Sequence, residues 1–142
     1  MSNRLTVKVS IDIHAPAAKV WEALIKPELI KQYLFGTEVI SDWTVGSPIT
    51  YKGVWEGKSY EDKGKILQII PENLFQSTYW SSIGGSEDKP ENYATVTYVL
   101  ESKNGSTHLT VSQDNIADEK ELDHMKKNWG MVLETIKKLL EK

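Results

Sequence analysis

The chain of 142 residues contains no cysteine. Disulfides, thiolate nucleophiles and cysteine-ligated zinc are therefore excluded. Histidine is scarce: His14, His108 and His124 are the three copies, and no two have the i, i+2 or i, i+4 spacing of a local metal pair. No metal and no cofactor is expected. A basic excess is also lacking, with 17 Lys and Arg against 20 Asp and Glu and a net charge of -3, which argues against a nucleic-acid partner. No apolar run is long enough to span a bilayer, and the opening MSNRLTVKVS has no signal-peptide core. The expectation is a cytoplasmic protein that does not insert into membranes.

Catalytic motifs are missing too. Ile83-Gly84-Gly85-Ser86 lacks the Lys-Ser/Thr of a phosphate loop, and no G-x-S-x-G elbow occurs. The carboxylate pairs are Glu61-Asp62 and Glu87-Asp88. Adjacent strand residues point to opposite faces, so Glu61 and Asp62 do not converge. Glu87 and Asp88 read as solubilising charge in a loop. A catalytic acid or base needs a held position and a shifted pKa. His124, Glu61 and Asp114 are the only candidates for such a role.

What the chain does have is pattern. Leu5, Val7, Val9, Ile11 and Ile13 alternate with polar residues, giving a half-buried strand. Pro16 fits the first turn of a helix through Val20, Trp21, Leu24 and Ile25, and Pro27 opens a second short helix that Gly36 closes. Strands are expected at 38–41, 49–55, 60–70, 74–80, 93–103 and 106–115. Their connections are the Val45-Gly46-Ser47-Pro48 turn, Glu56-Gly57-Lys58, Pro71-Glu72-Asn73 and Asn104-Gly105, the last a strong type I′ hairpin signal. Gly64 inside its strand marks a bulge or bend. The breaker-rich stretch 81–92 reads as a mobile loop.

From Asp118 onward the period changes to three and four. Leu122, Met125, Trp129, Val132, Leu133, Ile136, Leu139 and Leu140 form one stripe, and Asp118 with Glu121 begins the helix as a capping box. Such a stripe must bury itself against a sheet. The expected architecture is one α+β domain over residues 1–142.

This order of elements resembles the helix-grip fold of the START-like (SRPBCC) superfamily. The chain is similar to small members of the family of activators of heat-shock protein 90 ATPase. The resemblance is carried by His14-Ala-Pro-Ala-Ala-Lys-Val-Trp-Glu-Ala-Leu24, Trp43-Thr-Val-Gly-Ser-Pro48, Gly64-Lys-Ile-Leu-Gln-Ile-Ile-Pro71 with Tyr79-Trp80, and Asn128-Trp129 through Leu140. The family often places glycine before the final tryptophan, whereas here Gly130 follows it. The resemblance implies a curved antiparallel sheet of about seven strands wrapped around the long C-terminal helix, with two short helices after strand 1. It also implies a cavity between sheet and helix that holds an apolar molecule.

Alternation and helical spacing nominate Tyr51, Trp55, Trp80, Tyr98, Gln113, Met125, Trp129 and Leu133 as the cavity wall, with 81–92 as a lid. Gln113 needs a partner there, be it a ligand, a water or Tyr98. Gly130 has two readings, permitting close approach of the sheet or a ligand to the helix backbone, or being tolerated without a role. Three functions follow from this picture. The first is binding of a small hydrophobic or amphipathic ligand, lipid-like or aromatic, in a cavity of roughly 300–1,000 Å³. The second is a co-chaperone-like contact with a heat-shock ATPase. The third is a cavity enzyme such as a cyclase or hydrolase.

Overall fold

The computed structural model describes residues 4–34, 36–81 and 87–141, with the side chain of Trp55 excepted. Its elements run β1 (Leu5–Ile13), α1 (Ala17–Ile25), α2 (Pro27–Tyr33), β2 (Glu38–Ser41), β3 (Pro48–Trp55), β4 (Lys58–Ile70), β5 (Leu74–Tyr79), a 3₁₀ turn (Pro90–Asn92), β6 (Ala94–Lys103), β7 (Ser106–Ile116) and α3 (Glu119–Leu140). The seven strands form one antiparallel sheet in the order β1-β7-β6-β5-β4-β3-β2. β2 to β7 are thus a meander, while β1 crosses to pair with β7.

Turn chemistry accounts for the meander. Glu56 and Gly57 both have positive φ (49° and 79°), as do Asn104 and Gly105 (49° and 87°). Two consecutive left-handed residues make the type I′ hairpin, whose twist matches that of the strands. β1 and β2 follow each other in sequence yet lie on opposite edges of the sheet. α1 and α2 bridge them, and the sheet curls around the one core that these helices share with its strands and α3.

One cause of the curl is local. A Cβ placed on Gly64 would lie 1.7 Å from the carbonyl oxygen of Thr78. β5 passes too close to β4 there for any side chain. Lys65 N donates to Thr78 Oγ1 at 2.9 Å instead of to the strand backbone, and the register shifts between Ile66 and Gln68.

α3 starts where the capping residues put it, with Asp118 accepting from Glu121 N at 2.9 Å. It packs chiefly along β1, with smaller contacts to β7, α1 and α2. Its buried side chains are Val132, Leu133 and Ile136, all in the second half. With Ile13, Val20, Leu24, Ile66 and Leu109 they form the core. Among the described residues no helix is long and apolar enough to cross a membrane.

Candidate functional site

The first half of α3, from Glu119 to Met131, buries no side chain fully. Opposite it the concave face of the sheet carries aromatic rings. Tyr98 on β6 faces Phe75 on β5 in a stacked pair, centroids 6.2 Å apart. It also meets Trp129 of α3 edge-on at 5.9 Å. Further along, Tyr51 on β3 packs edge-on against Tyr79 on β5 at 5.7 Å.

Trp129 Nε1 donates to Gln113 Oε1 at 2.9 Å. This bond ties α3 to β7 and supplies the partner that Gln113 needs. The partner is neither Tyr98 nor a ligand, because the indole reaches over from the helix first. With its oxygen accepting, the amide presents its N–H donors.

Tyr98 differs from its neighbours. Burial, and then the neighbouring Tyr51, raise its phenol pKa strongly. Its hydroxyl nevertheless has no hydrogen-bond partner among the described residues. No sealed side-chain nitrogen or oxygen lacks a partner there, and the ring keeps part of its surface open. The hydroxyl is therefore not sealed from water, since a sealed orphan would be costly.

The polar end of this row is Asp62. It is 6% exposed and the only charged side chain among the buried, described residues. Tyr79 donates its hydroxyl to Asp62 Oδ2 at 2.5 Å. Tyr51 stands directly across the β3–β4 ladder from Asp62, hydrogen-bonded to Ser77. Burial, and then the charge of Asp62, raise the Tyr51 and Tyr79 pKa values, so both phenols stay neutral. The sequence signal for Asp62 was its place in β4: positions 60, 62, 64 and 66 share one face. On that face Asp62 is the single acid, between Tyr60 and Ile66.

The nominated wall divides accordingly. Tyr51, Tyr98, Gln113 and Trp129 come together on the concave side. Met125 is half-buried one turn before Trp129, and Leu133 is 1% exposed within the core. The Trp55 side chain lies outside the described residues. Trp80 must be removed from this wall. Tyr79 points inward, so its neighbour points outward, where it stacks on Tyr93 at 6.4 Å beneath the ammonium of Lys63. A surface groove of about 440 Å³ lies on that outer side, lined by Lys63, Lys65, Thr78, Asp88 and Tyr93 among others.

Of the proposed lid, residues 82–86 lie outside the described set, and 87–93 are tied down. Asp88 pairs with Lys63 and accepts from Tyr93 at 2.5 Å, while Asn115 Nδ2 donates to the carbonyls of Glu91 and Tyr93 at 2.9 and 3.1 Å. Asp88 is therefore a fastening and not merely solubilising charge. Lys63, and then Tyr93, hold its carboxyl below the usual range.

The three nominated acid–base groups are elsewhere. Glu61 faces outward beside Lys52 at 3.7 Å. His124 is exposed, 3.4 Å from Asn128 Nδ2. Asp114 accepts from Thr95 N at 2.6 Å, at the end of β6. His108 is half exposed and bonds Asp12 at 2.6 Å. Gly130 has no steric task, because a Cβ there would meet nothing within 4 Å.

A family model described as Activator of Hsp90 ATPase homolog 1-like protein matches residues 14–141. The solution structure of ChR145 from Cytophaga hutchinsonii is 47% identical, with a TM-score of 0.88, covering 99% of this chain and 97% of that one. Protein MLL2253 from Mesorhizobium loti gives 23% identity and a TM-score of 0.78, covering 96% and 97%. The Aha1 dimer from Colwellia psychrerythraea gives 20% identity and 0.76, covering 96% of each chain. The last two similarities concern the fold alone. A search of curated proteins finds no significant match.

Proposed function

We propose that this chain, which belongs to the family of Activator of Hsp90 ATPase homolog 1-like proteins, binds a small amphipathic molecule between its sheet and the first half of α3. The helix-grip fold of the family commonly holds hydrophobic ligands, and the chain has that fold. The observation that carries the reading is the Tyr98 hydroxyl, deep in the protein, without a hydrogen-bond partner among the described residues and yet not sealed from water. Around it the wall is aromatic, with few polar groups, as ligand pockets are. Tyr51, Tyr98 and Trp129 supply area and stacking faces. Gln113 and Asp62 supply direction.

The test is tryptophan fluorescence during titration with apolar probes, repeated with Tyr98→Phe and Trp129→Phe. Saturable quenching with micromolar probe, weakened about tenfold by Trp129→Phe, is the expected result. No response from any probe would defeat the reading.

A second reading rests on the family description, contact with an Hsp90 ATPase. Addition of the purified protein to that ATPase, with its turnover measured, decides it. An unchanged rate and no association would dismiss it. The enzyme reading has lost the three groups that were to serve it. Asp62 is held in place by the hydroxyl of Tyr79.

A further inference from the structure

The groove of about 440 Å³ on the outer side has fixed walls and an uneven set of polar groups. One wall is β4 and β5, drawn together at Gly64, where a Cβ would lie 1.7 Å from the Thr78 carbonyl oxygen. The other is the segment 87–93, held by the two bonds from Asn115 and by Asn92 Nδ2, which donates to the Glu87 carbonyl at 2.9 Å. Walls already held in place lose little entropy when a ligand arrives. Among the lining residues Asp88 has a donor at each oxygen, Tyr93 at Oδ1 and Lys63 at Oδ2. Lys65 and Thr78 are not satisfied in this way. Thr78 Oγ1 accepts from Lys65 N at 2.9 Å, which leaves the Thr78 hydroxyl proton to donate. Among the described residues that proton has no acceptor, and the Lys65 ammonium has no hydrogen bond or ion pair. Two lysines against one carboxylate leave the lining with one positive charge in excess. Glu61, the next outward residue on β4, pairs with Lys52 at 3.7 Å.

We propose that this groove is a second ligand site and that it takes a small organic monoanion, a carboxylate on a flat apolar body. The carboxylate accepts from the Lys65 ammonium and the Thr78 hydroxyl, two residues that their own hydrogen bond holds side by side. The apolar body lies along Tyr93 and Pro90. Trp80 backs the Tyr93 ring, 6.4 Å away and 26° from parallel, so the ring presents a supported face. A cation would find the lining carboxylate engaged and two ammonium groups of its own sign. The volume is that of small-molecule pockets. Lys63, Lys65 and Thr78 face away from the interior, so the proposal is independent of the binding reading above.

Amide NMR of the intact protein, titrated at neutral pH with naphthoate, naphthalenemethanol and naphthylmethylamine, is the test. Naphthoate should move the Lys65 and Thr78 resonances saturably, with a Kd of about 1 mM or lower. The alcohol and the ammonium compound should bind there at least about threefold more weakly. Lys65→Gln should weaken naphthoate about threefold, and Lys65→Arg should retain it. Lys65 is exposed, so both variants keep the fold. The side-chain amide of Gln113 reports separately on the interior. Absence of a saturable shift at Lys65 and Thr78 up to about 10 mM naphthoate overturns the proposal. So does a shift confined to the Gln113 amide, equal binding of the alcohol, or a Lys65→Gln variant that binds naphthoate as wild type does. None of these results bears against the interior reading.

Discussion

Two glycines of this chain do opposite things, and single substitutions separate them. At Gly64 a Cβ would collide with the Thr78 carbonyl at 1.7 Å, a backbone atom that cannot swing aside. Gly64→Ala should cost more than about 3 kcal/mol or prevent folding, measured by urea unfolding. At Gly130 the same atom meets open space. Gly130→Ala should stabilise by about 0.5–1 kcal/mol, because alanine loses less backbone entropy in a helix. A destabilised Gly130→Ala would show that a close neighbour exists after all. Both glycines were visible in the sequence, but only the packing distinguishes them. The same holds for Gln113. Alternation put it on the inner face; its bond to Trp129 needed the register of α3 on β7.

At the scale of elements, α3 is two half-helices with different surroundings. Its stripe was legible throughout, since spacing of three and four is a property of the sequence alone. Where the stripe is buried was not, because that depends on how far the sheet curls. The ends are fastened separately. Asp118→Ala removes the N-cap and should cost about 1 kcal/mol in thermal or urea unfolding. At the other end Glu141 accepts from His14 N at 2.8 Å and from Lys137 at 2.6 Å. The His14 bond, and then Lys137, lower its pKa. A depressed carboxylate stabilises the fold above its unfolded value of about 4 and loses that contribution as pH falls through the lower folded value. The melting temperature of wild type should drop faster below that pH than that of Glu141→Gln. Equal slopes would refute the link. Trp80 shows the limit of end-of-strand reasoning. Tyr79 and Trp80 cannot share a face, and the outer one belongs with Tyr93 and Lys63.

For the whole molecule, the architecture was readable from alternation, hairpin turns and the change of period near Asp118. The helix-grip outline followed from their order. The interior was harder, since a cavity is defined by what does not touch. Four phenols report on it. Burial leads the causes that raise the pKa values of Tyr33, Tyr51, Tyr79 and Tyr98. Such groups stabilise the fold fully below their unfolded pKa of about 10, and lose that contribution as pH rises toward the folded values. Phenolate absorbance of these four should therefore appear only with alkaline unfolding, coincident with loss of the helical circular dichroism signal. Early titration of the four in the folded protein would contradict their burial.

The placement of β1 also decides the order in which the molecule assembles. β2 to β7 join through connections no longer than the segment 80–93, most of them turns of two or three residues, whereas Ile11 of β1 pairs with Leu109 of β7, 98 positions later. Closing a loop of that length costs about 3 kcal/mol more than closing a four-residue turn. The meander can therefore form before β1 arrives, and the transition state contains hairpins without their last edge. Ile11→Val should then speed unfolding and leave the folding rate nearly unchanged, while a weakened Asn104-Gly105 turn should slow folding.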